Sequence, residues 1–195
     1  MSAGMLRMLV TVLLAGLSSH PSSPQVVRDG NCVVDREILQ IPACALEIRN
    51  GHPYLIAKYL PVYIAANSER LAWFHLKEDG WAYFDRTGRI LVTNVAMMDN
   101  GPNAFHHGLV RVVKKNKYGL ANLRGELVVP YRYDGMLDYE SRHGWRACMG
   151  CRYEQVGEYG DFVGGDWYWL NRYGRRGAKA PPEESLGASQ NHDTR

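Results

Sequence analysis

The stretch 118-YGLANLRG-125 decides the fold, because similar segments of the same chain occur at 81-WAYFDRTG-88 and 167-WYWLNRYG-174. We call these three segments octets 1, 2 and 3 in chain order, so that octet 2 is the stretch at 118. Each begins with a large aromatic residue, has Asp or Asn at position 5 and closes with glycine. Their separation falls within the roughly 20–50 residues that mark tandem repeats. The octets therefore predict a repeat array.

Each octet is predicted to form a strand that runs into a hairpin turn. Positions 1 and 3 of a strand share one face, and here they hold the core candidates Trp81, Tyr83, Tyr118, Leu120, Trp167 and Trp169. Asp or Asn at position 5 can accept a backbone hydrogen bond two residues on, and the closing glycine can take a positive φ. The predicted turn residues are Asp85, Gly88, Asn122, Gly125, Asn171 and Gly174. Stacked hairpins would bury a continuous aromatic layer.

Composition favours an all-β fold. The chain has 195 residues, and 20 Gly, 12 Tyr and five Trp suggest many turns between aromatic strands. We expect tandem β-hairpins that form a curved or partly closed antiparallel sheet. The sequence allows both an open sheet and one that closes into a ring. Residues 33–39 could make one helical turn at most.

The ends of the chain differ from its middle. Arg7 precedes the apolar run 8–17, which is the layout of a secretory signal and is too short to span a bilayer. We therefore expect a periplasmic or secreted bacterial protein without a transmembrane segment after signal cleavage. The predicted organisation is a signal peptide at 1–18, a linker at 19–31, an N-terminal segment at 32–69 packed on the repeats, repeats at 70–174 with an insertion at 148–166, and a disordered tail at 175–195.

Four cysteines, Cys32, Cys44, Cys148 and Cys151, are the disulfide candidates. An even number in an exported chain favours disulfides, and the sequence alone allows three connectivities. Cys148 and Cys151 are separated by only two residues, so three interpretations compete: a structural disulfide, half of a zinc site, or a redox motif.

Other candidate groups carry weaker signals. His106 and His107 are adjacent and therefore a poor metal pair on a strand, which favours surface loop residues. Asp99 and Asp134 occupy equivalent places between repeats, as turn caps or as a glycosidase carboxylate pair. The insertion contains acidic residues, but their spacing does not fit a Ca²⁺ loop. No catalytic residue, metal ligand or cofactor site is predicted.

Charge gives little indication of a partner. The net charge of +3 does not indicate nucleic acid binding. The densest basic run, Arg111, Lys114, Lys115 and Lys117, spans a predicted hairpin turn and is interpreted as a solvated tip.

The octets resemble the bacterial WG-repeat (KWG-repeat) family, whose units read roughly W/Y-G-[YF]-[IV]-D/N-x-x-G before an apolar run. The resemblance covers about residues 70–174. Gly119 keeps the signature glycine, whereas Ala82 and Tyr168 replace it. The resemblance implies a β-rich repeat protein, often exported and usually assigned to protein interaction, with no common catalytic residue.

The leading functional hypothesis is a non-catalytic, exported binding module whose partner is another protein or an envelope glycan. The insertion and the loops 99–107 and 134–143 would carry specificity. The candidate aromatic contacts are Tyr131, Tyr133, Tyr139 and Tyr153. The alternative is a metal- or thiol-dependent protein that uses Cys148 and Cys151. A third hypothesis, a carbohydrate-active enzyme, would use Asp99 and Asp134.

Overall fold

The computed structural model describes residues 26–35, 40–63, 71–98, 101–156 and 159–181. Strands dominate these ranges, and the one α-helix within them is a single turn, so the all-β prediction is confirmed. The predicted signal peptide, the linker up to residue 25 and Asp99 lie outside the described residues.

The N-terminal part forms short strands around one helical turn. These elements are β1 (Val26–Asp29), β2 (Cys32–Asp35), β3 (Gln40–Ile41), β4 (Leu46–Arg49), β5 (His52–Leu55) and α1 (Leu60–Tyr63), with 3-10 turns at Ala43–Ala45 and Ala57–Tyr59. One prediction is wrong here. The end of the expected linker is strand β1, paired antiparallel with β2. For residues 33–39 the sequence allows one helical turn at most. The structure has strand β2 at its start, with alternate residues Cys32 and Val34 buried, and residues 36–39 lie outside the described ranges.

The three octets lie on equivalent strands. The remaining strands are β6 (Leu71–Leu76), β7 (Gly80–Asp85), β8 (Ile90–Val95), β9 (Met97–Met98), β10 (Gly101–Pro102), β11 (Leu109–Lys114), β12 (Lys117–Asn122), β13 (Leu127–Tyr133), β14 (Gly135–Glu140), β15 (Gly144–Met149), β16 (Arg152–Val156), β17 (Tyr159–Val163), β18 (Asp166–Leu170) and β19 (Arg176–Lys179). Octets 1, 2 and 3 begin within β7, β12 and β18, and each of these is the middle strand of three.

Two larger sheets hold the octets. One has seven strands in the order β13-β12-β11-β8-β7-β6-β3, and the other has four in the order β14-β15-β18-β19. All their pairings are antiparallel except that of β3 with β6. The insertion folds as a separate two-stranded hairpin, β16–β17.

The disordered tail predicted at 175–195 begins too early, because residues 176–179 form strand β19. Residues 182–195 lie outside the described ranges. Strand β19 pairs with the octet 3 strand β18, and Ala180 N–H donates to the Trp167 carbonyl at 2.8 Å. Ala180 is buried beside Trp167. The chain thus stays in the sheet beyond residue 175, because octet 3 needs a following strand as the other two octets do.

The three octet turns have one hydrogen-bond pattern. In octet 2 the Asn122 side-chain oxygen accepts from the N–H groups of Arg124 at 2.9 Å and Glu126 at 3.1 Å. Gly125 N–H donates to the Asn122 carbonyl at 2.9 Å. Asp85 and Asn171 make the equivalent bonds in the other octets. All three closing glycines have positive φ, from 74° to 84°. The predicted turn chemistry is therefore present three times.

A β-bulge explains the one signature glycine. Tyr118 pairs with Tyr133 and Leu120 with Val129, so two steps along β12 match four along β13. A Cβ added at Gly119 would lie 2.4 Å from the Val129 carbonyl oxygen. Octet 2 therefore has no room for a side chain at position 2.

The other octet strands also shift register against the strand that follows them, but by one residue instead of two. Trp81 pairs with Val95 and Tyr83 with Val92, so two steps match three. In octet 3 the shift lies one residue further along, because Tyr168 itself pairs with Lys179 and Leu170 pairs with Arg176, so two steps again match three. Position 2 can then carry a side chain, which accounts for Ala82 and Tyr168.

Within the described ranges the buried side chains form four clusters, so the continuous aromatic layer expected from the sequence is wrong. In the first cluster Phe84 of octet 1 packs with Leu55 and Tyr59 of the N-terminal part. Tyr83, on the opposite face, packs with Val112 and Ala121 of the next unit. The strand of octet 1 therefore contacts a different part of the chain with each face, and the N-terminal part covers the face turned away from octet 2.

Candidate functional site

The predicted core residues are all at least partly buried, but unequally. Tyr83, Leu120 and Trp167 are buried, whereas Trp81, Tyr118 and Trp169 are half-buried. The sequence interpretation missed position 4, which holds Phe84, Ala121 and Leu170. All three are at most 1% exposed. An apolar residue at this position in every octet was the available signal, and it marks the face that contacts the preceding unit.

Both cysteine pairs lie at disulfide distance. The Cα–Cα separation is 5.8 Å for Cys32 and Cys44, and 6.0 Å for Cys148 and Cys151, within the usual range for disulfides. This arrangement fits an oxidising environment. Cys148 is the last but one residue of strand β15 and is fully buried against Trp167. Cys148 lies in a strand and Cys151 directly precedes one, so neither is at the helix N-terminus that lowers the thiol pKa in redox motifs.

The described residues contain no group of three or more His, Cys, Asp and Glu side chains placed to hold a metal ion. His106 and His107 both contact the Tyr139 ring, with centroid distances of 4.9 Å and 5.2 Å. They therefore do not converge on Cys148 and Cys151 as a zinc site would require. Within the described ranges, no helix is long and apolar enough to cross a membrane.

The insertion hairpin β16–β17 docks through Phe162. Its ring contacts Tyr118 of octet 2, with centroids 5.7 Å apart, and Tyr153 across the hairpin, at 5.4 Å. A Cβ added at Gly135 would lie 2.6 Å from the Phe162 ring. Glycine at the start of β14 thus makes the place into which the Phe162 ring fits.

An open cleft of about 730 Å³ lies between this hairpin and the octet 2 unit. We call it the hairpin cleft. Its lining includes Arg111, Tyr118, Asp134, Met136, Tyr153 and Phe162. The volume falls in the range of about 300–1,000 Å³ that is common for ligand sites. Burial raises the pKa of Tyr118 above its ordinary value, at which the hydroxyl is already protonated at neutral pH.

Arg111 corrects the interpretation of the basic run. Its side chain is only 9% exposed, whereas Lys114, Lys115 and Lys117 are exposed. Arg111 Nε donates to the Asn103 side-chain oxygen at 2.8 Å, and Nη1 donates to the Met136 carbonyl. Burial lowers the pKa of this guanidinium, although arginine stays protonated in proteins. Arg111 is therefore a buried cation rather than part of a solvated tip.

Asp134 joins two turns at the edge of the cleft. Its carboxylate accepts from Lys117 Nζ and from the Gly150 N–H, the latter at 2.8 Å. The Lys117 hydrogen bond, followed by that from Gly150, lowers the pKa of Asp134. A glycosidase general acid needs a raised pKa, so Asp134 does not suit that role. Its equivalent, Asp99, lies outside the described residues.

Only one of the four candidate contact tyrosines is well exposed. Tyr153 is 59% exposed and lines the hairpin cleft. Tyr133 is fully buried, so its proposed role as a contact is wrong. Tyr139 is half-buried and packs edge-on against Trp145, with centroids 4.8 Å apart. Tyr131 is half-buried beside Val112 and Ala121.

A scan against protein-family models found no match, and searches of curated proteins and of solved structures also found none.

Proposed function

We propose that this chain is an exported, non-catalytic binding module built of WG repeats, and that its partner is another protein. The shared strand, bulge and turn of the three octets support a tandem-repeat origin. The glycine required at position 119 supports the resemblance to WG repeats in particular. Repeat proteins commonly bind partners on surfaces built from several units.

The observation that carries the proposal is the docked insertion hairpin. Octet 3 alone has a hairpin between its first two strands, β15 and β18. This hairpin forms one wall of an open cleft and presents Tyr153 to solvent. Exposed aromatic side chains beside a concave surface are typical of binding sites.

Two observations support a location in the periplasm or outside the cell. The N-terminal run has the layout of a secretory signal, and both cysteine pairs lie at disulfide distance. Periplasmic or secreted proteins keep such pairs oxidised. We therefore place the partner in the bacterial envelope or outside the cell.

The test identifies a partner and then measures its affinity. Tagged full-length protein captures partners from envelope extract, and the captured protein is purified and titrated by calorimetry. We expect Tyr153→Ala to weaken binding about tenfold or more. Tyr173→Ala is the matched control, because Tyr173 is also 59% exposed but lies in the octet 3 turn. Equal effects of the two variants, or saturable binding to envelope glycan alone, would contradict the proposal.

A second measurement distinguishes the binding module from the alternative function, which depends on a metal or on free thiols at Cys148 and Cys151. Thiol titration and metal analysis of protein isolated from the periplasm would show reactive thiols or bound zinc if it holds. Fully oxidised cysteines without zinc would count against it.

A further inference from the structure

Arg111 is an unusual feature of the hairpin cleft because, among the described residues, its hydrogen-bond partners are neutral. It donates to a side-chain amide oxygen of Asn103 and to the Met136 carbonyl. Among the described residues, no carboxylate oxygen lies within 4 Å of its guanidinium, and Asp138 acts on it only by longer-range attraction. Burying a cation without a paired anion is unfavourable. The site therefore favours an anion from outside.

The other charged groups of the cleft already have partners. Asp134 is paired with Lys117, and Arg152 with Glu154. Asp134 would otherwise repel an incoming anion, but its charge is balanced by Lys117 and by the Gly150 N–H. Arg111 is thus the lining cation, among the described residues, that has no carboxylate partner.

Comparison with Arg146 separates this feature from the architecture of the units. Arg111 lies opposite Leu120, position 3 of octet 2, and Arg146 lies opposite Trp169, position 3 of octet 3. Arg146 is fully buried, with its guanidinium 4.8 Å from the Trp167 ring centroid, and does not line the cleft. Equivalent arginines thus have different surroundings, and the one at position 111 borders open space.

The rest of the lining is apolar and aromatic. Met136 forms part of the wall together with Tyr118, Tyr153 and Phe162. Such a wall suits an apolar or aromatic side chain, and a lone guanidinium suits a carboxylate, which it can bind through two parallel N–H groups. The cleft is open to solvent, so a longer chain can leave it.

We propose that the hairpin cleft binds a peptide carboxylate that lies beside an apolar side chain, with the carboxylate paired to Arg111. This inference rests on the proposed function, since it names the chemistry that the binding module recognises. A chain terminus and an acidic side chain both supply this carboxylate, and the experiment distinguishes them.

The test compares acids with amides by calorimetry on the full-length protein. The probes are N-acetyl-leucyl-phenylalanine, its carboxamide, and N-acetyl-glutamyl-phenylalaninamide. We expect the free acid to bind about tenfold or more tightly than its carboxamide. Tighter binding of the glutamyl probe than of the neutral carboxamide would assign recognition to acidic side chains as well. Equal affinities of all three probes would overturn the proposal.

Protein variants assign the preference to Arg111. Arg111→Met should remove the acid preference, and Arg132→Met, at an exposed arginine that does not line the cleft, should retain it. If Arg111→Met does not fold, the probe series on the wild type and on Tyr153→Ala still decides the question. A captured partner that depends on Tyr153, together with no acid preference, would leave the proposed function standing and refute this inference.

Discussion

At the residue scale, Gly125 meets two requirements at once. Its φ is +77°, and a Cβ there would lie 2.3 Å from the Leu91 carbonyl oxygen on the preceding unit. Gly88 and Gly174 likewise approach atoms of the units before them, Leu55 and Val129. The sequence predicted the turn but could not reveal these contacts, because they depend on how the units stack. Each closing glycine is thus both a turn residue and a point of contact between neighbours.

Gly125→Ala tests this double role, with Gly51→Ala as the matched control. Gly51 has the same φ of +77° but no atom within 4 Å of an added Cβ. We expect the control to lose about 1 kcal/mol of unfolding free energy, from backbone strain alone. Gly125→Ala should lose roughly 3 kcal/mol, because overpacking against Leu91 adds to the strain. Urea denaturation measures both. Equal losses would show that the contact with Leu91 carries no energy.

At the element scale, the sequence predicted which segments form strands better than it predicted which elements pack against each other. The octet strands, turns and insertion were all visible as periodicity, turn residues and a gap in spacing. Arg111 was assigned to a solvated tip because charge alone does not show which face of a strand is covered. The hairpin cleft could not be predicted either, since Phe162 and Gly135 meet only when the insertion docks on β14. Packing between elements, and not local preference, decides these features.

Asp134 links two such elements, and its link should depend on pH. Its lowered pKa stabilises the fold above the unfolded-state pKa of about 3.9, and the gain is lost as the pH falls through the lower folded value. We expect Asp134→Asn to lose at most about 1 kcal/mol at pH 7. Denaturation curves of wild type and variant should converge in acid.

The matched control for Asp134 is Asp79→Asn. Asp79 is an exposed carboxylate for which no ion pair occurs among the described residues. Its substitution should change the free energy of unfolding at pH 7 by less than about 0.5 kcal/mol. A constant difference between Asp134→Asn and wild type down to strongly acidic pH would disprove the electrostatic explanation and leave only a packing effect.

At the scale of the whole molecule, neighbouring units share buried clusters. Phe84 joins octet 1 to the N-terminal part, Tyr83 joins it to octet 2, and Leu120 joins octet 2 to octet 3. Cys32 belongs to the first of these clusters, and its disulfide with Cys44 braces the segment that covers octet 1. The unit of octet 1 thus has a cover of its own, which the end of a stacked array needs.

Leu120 is the residue at which this coupling can be measured, because its fully buried side chain packs with Trp145 and Leu170 of the following unit. We expect Leu120→Ala to lose about 3 kcal/mol of unfolding free energy, whereas Leu123→Ala, at a leucine 44% exposed, should change it by less than about 0.5 kcal/mol. Hydrogen exchange followed by mass spectrometry should show faster exchange in β15 and β18 as well as in β12. Loss of a shared contact should weaken both of the units that share it. Faster exchange confined to β11–β13 would therefore mean that the two units are stable independently of each other.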